Sequence, residues 1–186
     1  MKNYLQSAKS SFFVMLFCTV IFILNSFLPI DFNQWGIVPR NFNRFSGILF
    51  SPFLHGSWQH LMSNFLPFVI FGSLVGIKNT TRFWVLFLLQ IIITGFFVWL
   101  FGRGNSTHIG MSGVLYAFWG YLIVYGLMRK QVLHFVVSFL TVIIYGGIVF
   151  GVLPTNSSIS FESHLFGAIS GAISGYYFAK HDRRPR

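Results

Sequence analysis

Acidic residues and cysteine are nearly missing from this sequence: three Asp or Glu and a single Cys stand against 13 Lys and Arg in 186 residues. One cysteine, Cys18, excludes an intramolecular disulfide and any Cys-based metal site, and its place inside an apolar run makes packing its expected role. Scarce carboxylates exclude more. The two aspartates, Asp31 and Asp182, fall in opposite connecting regions, so they cannot form the paired membrane carboxylates of an aspartyl protease. No His-Glu-x-x-His occurs, which removes the usual zinc-hydrolase pattern, and neither a metal nor another cofactor is expected. Repeats, linkers and low-complexity stretches are also absent, and paired broken helices of the kind a small transporter uses are not found.

What fills the chain instead is apolar. Hydrophobic residues make up 54% and charged residues 9%, with 25 Phe and 18 Gly, and the mean hydropathy is +0.68. A soluble domain of this length has no use for so much apolar surface, so the chain reads as a polytopic membrane protein whose helices pack through small residues. The net charge of +10 does not indicate nucleic acid. Its lysines and arginines sit in short clusters between apolar runs, as topology-setting loop charges do, and no basic face interleaved with aromatics is available for phosphates. Lys2 and Lys9 precede an apolar stretch over 12–28 that lacks an Ala-x-Ala-like cleavage site, so it is expected to be a retained helix rather than a signal peptide.

Six spans are predicted, over 12–28, 58–77, 83–101, 112–128, 132–153 and 163–179, forming one all-α membrane domain across 1–186. With the amino terminus inside, Lys2, Lys9, Lys78, Arg82, Arg129, Lys130, Lys180, Arg183, Arg184 and Arg186 are cytoplasmic, and only Arg40, Arg44 and Arg103 are outside. That asymmetry places both termini in the cytoplasm. The external segment 29–57 carries Trp35, Phe42, Phe45, Phe50 and Phe53 with few charges, and is expected to lie partly in the membrane interface. Gly167, Gly171 and Gly175 recur at four-residue spacing and mark the last span as one that a neighbour approaches closely.

Spans two, four and six all descend from the outer side, and each begins with polar chemistry: His60 and Asn64, Ser112, and His164. At a rise of 1.5 Å per residue, the distances to the first inner charge are about 27, 26 and 24 Å, so the groups lie at nearly one depth. Ser112 sits in Gly110-Met-Ser-Gly113, where glycines let backbone approach and leave the hydroxyl accessible. His164 is the candidate base at matching depth. His60 and Asn64, four apart on one helix face, and the amide of Ser112 at a helix start are the donors an oxyanion hole needs. No carboxylate completes a triad, since Glu162 lies on a different side of any helix from His164, so a Ser-His dyad is the economical arrangement.

The combination His60-x-x-x-Asn64, Gly110-x-Ser112-Gly113 with Tyr116, and His164-x-x-Gly167-x-x-x-Gly171 resembles the rhomboid family of intramembrane serine proteases over essentially the whole chain. The resemblance implies Ser112 as nucleophile, His164 as base, His60 and Asn64 in the oxyanion hole, Tyr116 stacked on the imidazole, and the glycine face of span six packed on span four. It also implies substrate access beside span five and the face of span two that carries Phe65 and Phe68. Transmembrane protein substrates cut near the outer boundary and a bacterial plasma membrane are the expected partners and location, in a minimal form of the family. Two departures stand out: Ser46-Gly47 replaces a common Trp-Arg pair, and Ser163 precedes the last histidine. A proteolytically inactive, client-binding relative is the alternative, and the presence of both Ser112 and His164 weighs against it. His55, His108, His134 and His181 are expected to be interfacial polar groups.

Overall fold

The computed structural model describes residues 2–129, 131–154 and 160–183. Lys130, Arg184 and Arg186, counted above among the inner charges, lie outside the described residues. The described chain is all α-helix and 3-10 turn, apart from one isolated bridge between Ile37 and His108. Its helices are α1 (Lys2–Phe27), α2 (Gly47–Phe50), α3 (Trp58–Val75), α4 (Thr80–Phe101), α5 (Ser112–Arg129), α6 (Val132–Tyr145) and α7 (Phe161–His181).

Helix α1 begins ten residues ahead of the apolar run that announced it. The cause is a small-residue seam: Ser7 and Ser11 are fully buried, and a Cβ placed on Gly76 or Gly72 at the far end of α3 would fall on their hydroxyls. Bare glycine backbone lets the first turns of α1 dock there, so they stay helical although their sequence is polar. Ser57 and Asn79 cap α3 and α4, accepting from the amides of His60 at 3.1 Å and Arg82 at 2.8 Å. After Tyr145 the winding tightens into a 3-10 segment, Gly146–Val152, where consecutive glycines give up α-helical stability.

The external segment is folded rather than loose. Two Asx-capped 3-10 turns, Phe32–Trp35 and Phe42–Arg44, lead into α2 and a third turn, Ser51–Phe53. The segment docks on α4, where Phe42 and Phe45 meet Trp99 edge-on at centroid distances of 5.0 and 5.2 Å, and Ile48 presses against Gly95. Trp99 Nε1 donates to the Asn41 carbonyl at 3.1 Å, so the indole is both packed and satisfied.

Helix α5 is the centre, with α3, α4, α6 and α7 around it. Phe68, Phe83 and Phe118 are all fully buried between α3, α4 and α5, Phe68 stacked on Phe118 and Phe83 edge-on to it. Phe68 is therefore core, and Phe65 packs on Phe12 of α1, which corrects the expectation that these two rings line an opening for substrate. Helix α6 is held more lightly. Only Ser138 and Thr141 of it are buried, and Val132, Leu133, Phe135, Val136, Phe139 and Ile143 are exposed.

Among the described residues, three helical stretches are long and apolar enough to cross a membrane on those grounds alone: Lys2–Phe27, Thr80–Phe101 and Val132–Val152. The three remaining long helices carry the histidines, serines and glycines singled out in the sequence. Together with the composition, these helices make the chain an integral membrane protein.

Candidate active site

The site is assembled where α3, α5 and α7 begin. Gly110 adopts φ +115°, a conformation glycine takes without strain, and its amide donates to the Ser51 carbonyl at 2.8 Å. That turn delivers Met111 into the core and starts α5 on Ser112. His164 stands in the first turn of α7. Its Nε2 is 2.8 Å from the Ser112 hydroxyl oxygen, and both residues are 8% exposed.

The close approach of α7 to α5 makes this contact possible. A Cβ on Gly167 would lie 2.1 Å from the Gly113 carbonyl oxygen, one on Gly171 would lie 1.9 Å from that of Ala117, and one on Gly120 would lie 2.4 Å from that of Ala168. Only glycine fits at these crossings, because the obstructing atoms are backbone. A buried polar strip extends the same interface: Gln90 of α4 donates to Ser174 at 2.8 Å and accepts from Ser170 at 2.5 Å.

The imidazole of His164 is held on every side. Tyr116 stacks face to face with it, at a centroid distance of 4.0 Å and an interplanar angle of 5°. Its Nδ1 is 2.8 Å from the Gly151 carbonyl oxygen, and the Tyr116 hydroxyl donates to the Ile148 carbonyl at 2.8 Å. Gly151 and Ile148 belong to the 3-10 segment after α6, and no motif in the sequence marks their carbonyls.

On the other flank His60 lies against Gly110, where a Cβ would come within 2.6 Å of its Nε2. Asn64 is buried and donates one amide hydrogen to the His60 carbonyl at 2.7 Å, so it does not present both hydrogens to the site; a side-chain amide has a second hydrogen to offer. His164 thus touches both Ser112 and Tyr116, His60 lies against Gly110, and Gly113, Gly167 and Gly171 lie on the crossing that brings α7 to α5, while Asn64 is held to the His60 carbonyl.

Two histidines read as interfacial are not. His55 is 1% exposed, meets His60 edge-on at 5.0 Å and accepts from the Met111 amide at 3.5 Å, supporting the turn that carries Ser112. Burial, with His60 adding to it, pushes its pKa down to about 3, so it is neutral. His108 is 3% exposed and bonds Ser160 at 2.6 Å and Ser106 at 3.1 Å, while its backbone pairs with Ile37. Burial lowers its pKa as well. Their position in the loop before α3 and the loop before α5 was visible in the sequence, but nothing there distinguished a buried strut from a wet loop. His134, against Tyr125, is partly buried, and His181 is exposed as expected. Glu162 pairs with Arg103 at 2.7 Å, anchoring the start of α7 to the loop after α4.

A family model described as Rhomboid domain matches residues 43–181. The uncharacterized protein Rv1337 of Mycobacterium tuberculosis is 31% identical over 160 residues, covering 81% of this chain and 66% of that protein. The uncharacterized protein ML1171 of Mycobacterium leprae is 34% identical over 149 residues, covering 75% of this chain and 59% of that protein. The chain thus spans somewhat less than two thirds of these relatives' length. A match that takes in all three polar helix starts and the glycine-packed α5–α7 pair shows that the chain belongs to the rhomboid family.

Proposed function

We propose that this protein is an intramembrane serine protease that hydrolyses peptide bonds of single-pass transmembrane proteins near the outer membrane boundary. The observation that carries the reading is the 2.8 Å contact between the Ser112 hydroxyl and His164 Nε2, set within the fold of a rhomboid domain. Six helices, α1 and α3 to α7, would each span the bilayer with both termini cytoplasmic, as the distribution of Lys and Arg supports. A multi-pass location in a bacterial plasma membrane accords with the mycobacterial relatives.

In this mechanism the Ser112 O–H donates to His164 Nε2, and Oγ attacks the scissile carbonyl carbon as the proton passes to the imidazole. The oxyanion collects hydrogen bonds from the Ser112 N–H, His60 and the second amide hydrogen of Asn64. His164 then protonates the leaving amine, which departs and leaves an acyl-enzyme. Water, deprotonated by the same nitrogen, attacks the ester, and Ser112 regains its proton as the second product leaves. Helix α6 is the element whose displacement would admit a substrate helix. Its outer face is apolar and exposed, and it seats on α5 with Ser138 against Gly126.

The decisive test incubates purified protein with a model transmembrane substrate in detergent and looks for one specific cut. Wild type is expected to cleave and Ser112→Ala to bind without cleaving; a cut that survives in Ser112→Ala refutes the assignment. A serine-reactive phosphonate should label wild type and fail on His164→Ala.

A further inference from the structure

The dyad has no carboxylate behind its histidine, yet its imidazole is not free to turn. His164 Nδ1 lies 2.8 Å from the carbonyl oxygen of Gly151. A carbonyl oxygen can only accept, so this contact is a hydrogen bond only if Nδ1 carries the proton. The opposite tautomer would set two lone pairs against each other at that distance. In a neutral ring a protonated Nδ1 leaves Nε2 bare, and Nε2 is the atom facing the Ser112 hydroxyl at 2.8 Å. Three residues earlier on the same segment, the Ile148 carbonyl accepts from the Tyr116 hydroxyl, whose ring is stacked on the imidazole. One stretch of main chain therefore fixes both the tautomer of the histidine and the plane against which it rests.

We propose that the 3-10 segment Gly146–Val152 is the positioning element of the histidine, its Gly151 carbonyl doing for His164 what a buried carboxylate does in a triad and its Ile148 carbonyl holding Tyr116 in place. This rests on the reading of His164 as the base. Glycine at 151 is part of the device: a Cβ there would lie 1.8 Å from the Tyr116 hydroxyl oxygen, 2.9 Å from the ring carbon bearing it and 3.0 Å from His164 Nδ1. Any side chain would push the carbonyl away from the imidazole or the tyrosine off it. Because the segment continues α6 without a break, the base is armed while α6 is seated and loses both supports when α6 swings out.

Two measurements test the proposal. The first is the nitrogen-15 spectrum of histidine-labelled protein in micelles at neutral pH, with His164 assigned by its disappearance in His164→Gln. The expected state has Nδ1 protonated and Nε2 bare; a protonated Nε2 with bare Nδ1 overturns the proposal. The second is the rate of phosphonate labelling of Ser112, in variants whose thermal unfolding shows that they are folded. Gly151→Ala should label about a hundredfold more slowly, the penalty of a reacting group misplaced by about an ångström. Tyr116→Phe, which deletes only the hydroxyl that the Ile148 carbonyl holds, should label about tenfold more slowly. Labelling of Gly151→Ala or of Tyr116→Phe at the wild-type rate overturns the proposal. A wild type that shows the Nδ1 proton but does not react with phosphonate would instead count against the catalytic reading and leave the positioning intact.

Discussion

Gly110 is the residue on which the site turns most sharply. Its φ of +115° and the 2.6 Å between a prospective Cβ and His60 Nε2 mean that alanine would strain the backbone and displace the imidazole together. Gly110→Ala should lower kcat on a transmembrane substrate about a hundredfold while KM changes little, because in the proposed mechanism the donors it misplaces act on the oxyanion. His55 gives a second test, through pH. Its folded pKa of about 3 lies below its ordinary 6.5, so above pH 6.5 it is neutral in folded and unfolded chains alike and does not affect their balance. As the pH falls from 6.5 toward 3, the unfolded chain takes up a proton that the buried ring refuses, and stability is lost. Thermal unfolding in detergent should show this decline, and His55→Gln should flatten it.

Between elements, the α5–α7 crossing decides whether Ser112 and His164 meet. Gly171 is its tightest point, with a backbone carbonyl 1.9 Å from where a Cβ would sit, and a carbonyl within a helix cannot rotate away. Gly171→Val should destabilise the fold by about 3 kcal/mol or more and abolish labelling of Ser112 even in the fraction that remains folded, because α7 must ride outward. An equal insertion on the lipid side, such as Ile169→Phe, should leave both measurements near wild type, since Ile169 is 49% exposed. The spacing of Gly167, Gly171 and Gly175 was legible from the sequence as a close-packing face. Its partner was indicated only by family resemblance, because a small-residue stripe does not say which helix it meets.

Across the molecule, the end opposite the site is tied by one carboxylate. Asp182 accepts from Arg82 at 2.6 and 3.0 Å, from Lys78 at 2.5 Å and from Tyr125 at 2.7 Å, joining the start of α4 and the loop before it to the ends of α5 and α7. Burial alone would push this carboxyl up, but the hydrogen bonds from Arg82, Lys78 and Tyr125 outweigh it and hold the group well below the usual carboxylate range. The stability it contributes is therefore present above its ordinary pKa of 3.8 and lost only in more acid solution. Asp182→Asn leaves the Arg82 charge buried without its counter-ion and should cost about 3–5 kcal/mol in detergent unfolding. The double variant Arg82→Met/Asp182→Leu should recover most of that cost, since an apolar pair of similar volume replaces two buried charges. Counted from the sequence, Arg82 was simply one of the inner loop charges, and its burial depends on a partner a hundred residues away.

The sequence by itself determined the solvent and singled out the candidate reacting groups. Hydropathy, loop charges and the depth of three polar helix starts follow from composition and helix rise, which are local or additive properties, and they sufficed to name Ser112, His164, His60 and Asn64 before any contact was known. Only the tertiary structure decided what those groups lean on. The Gly151 carbonyl is an atom every residue possesses, so no residue code can announce it. His55 and Phe68 differ from a wet histidine and a lipid-facing ring only in the neighbours that close over them. Burial and main-chain hydrogen bonds are properties of pairs brought together by packing, and packing is where the helices, each predictable alone, choose one another.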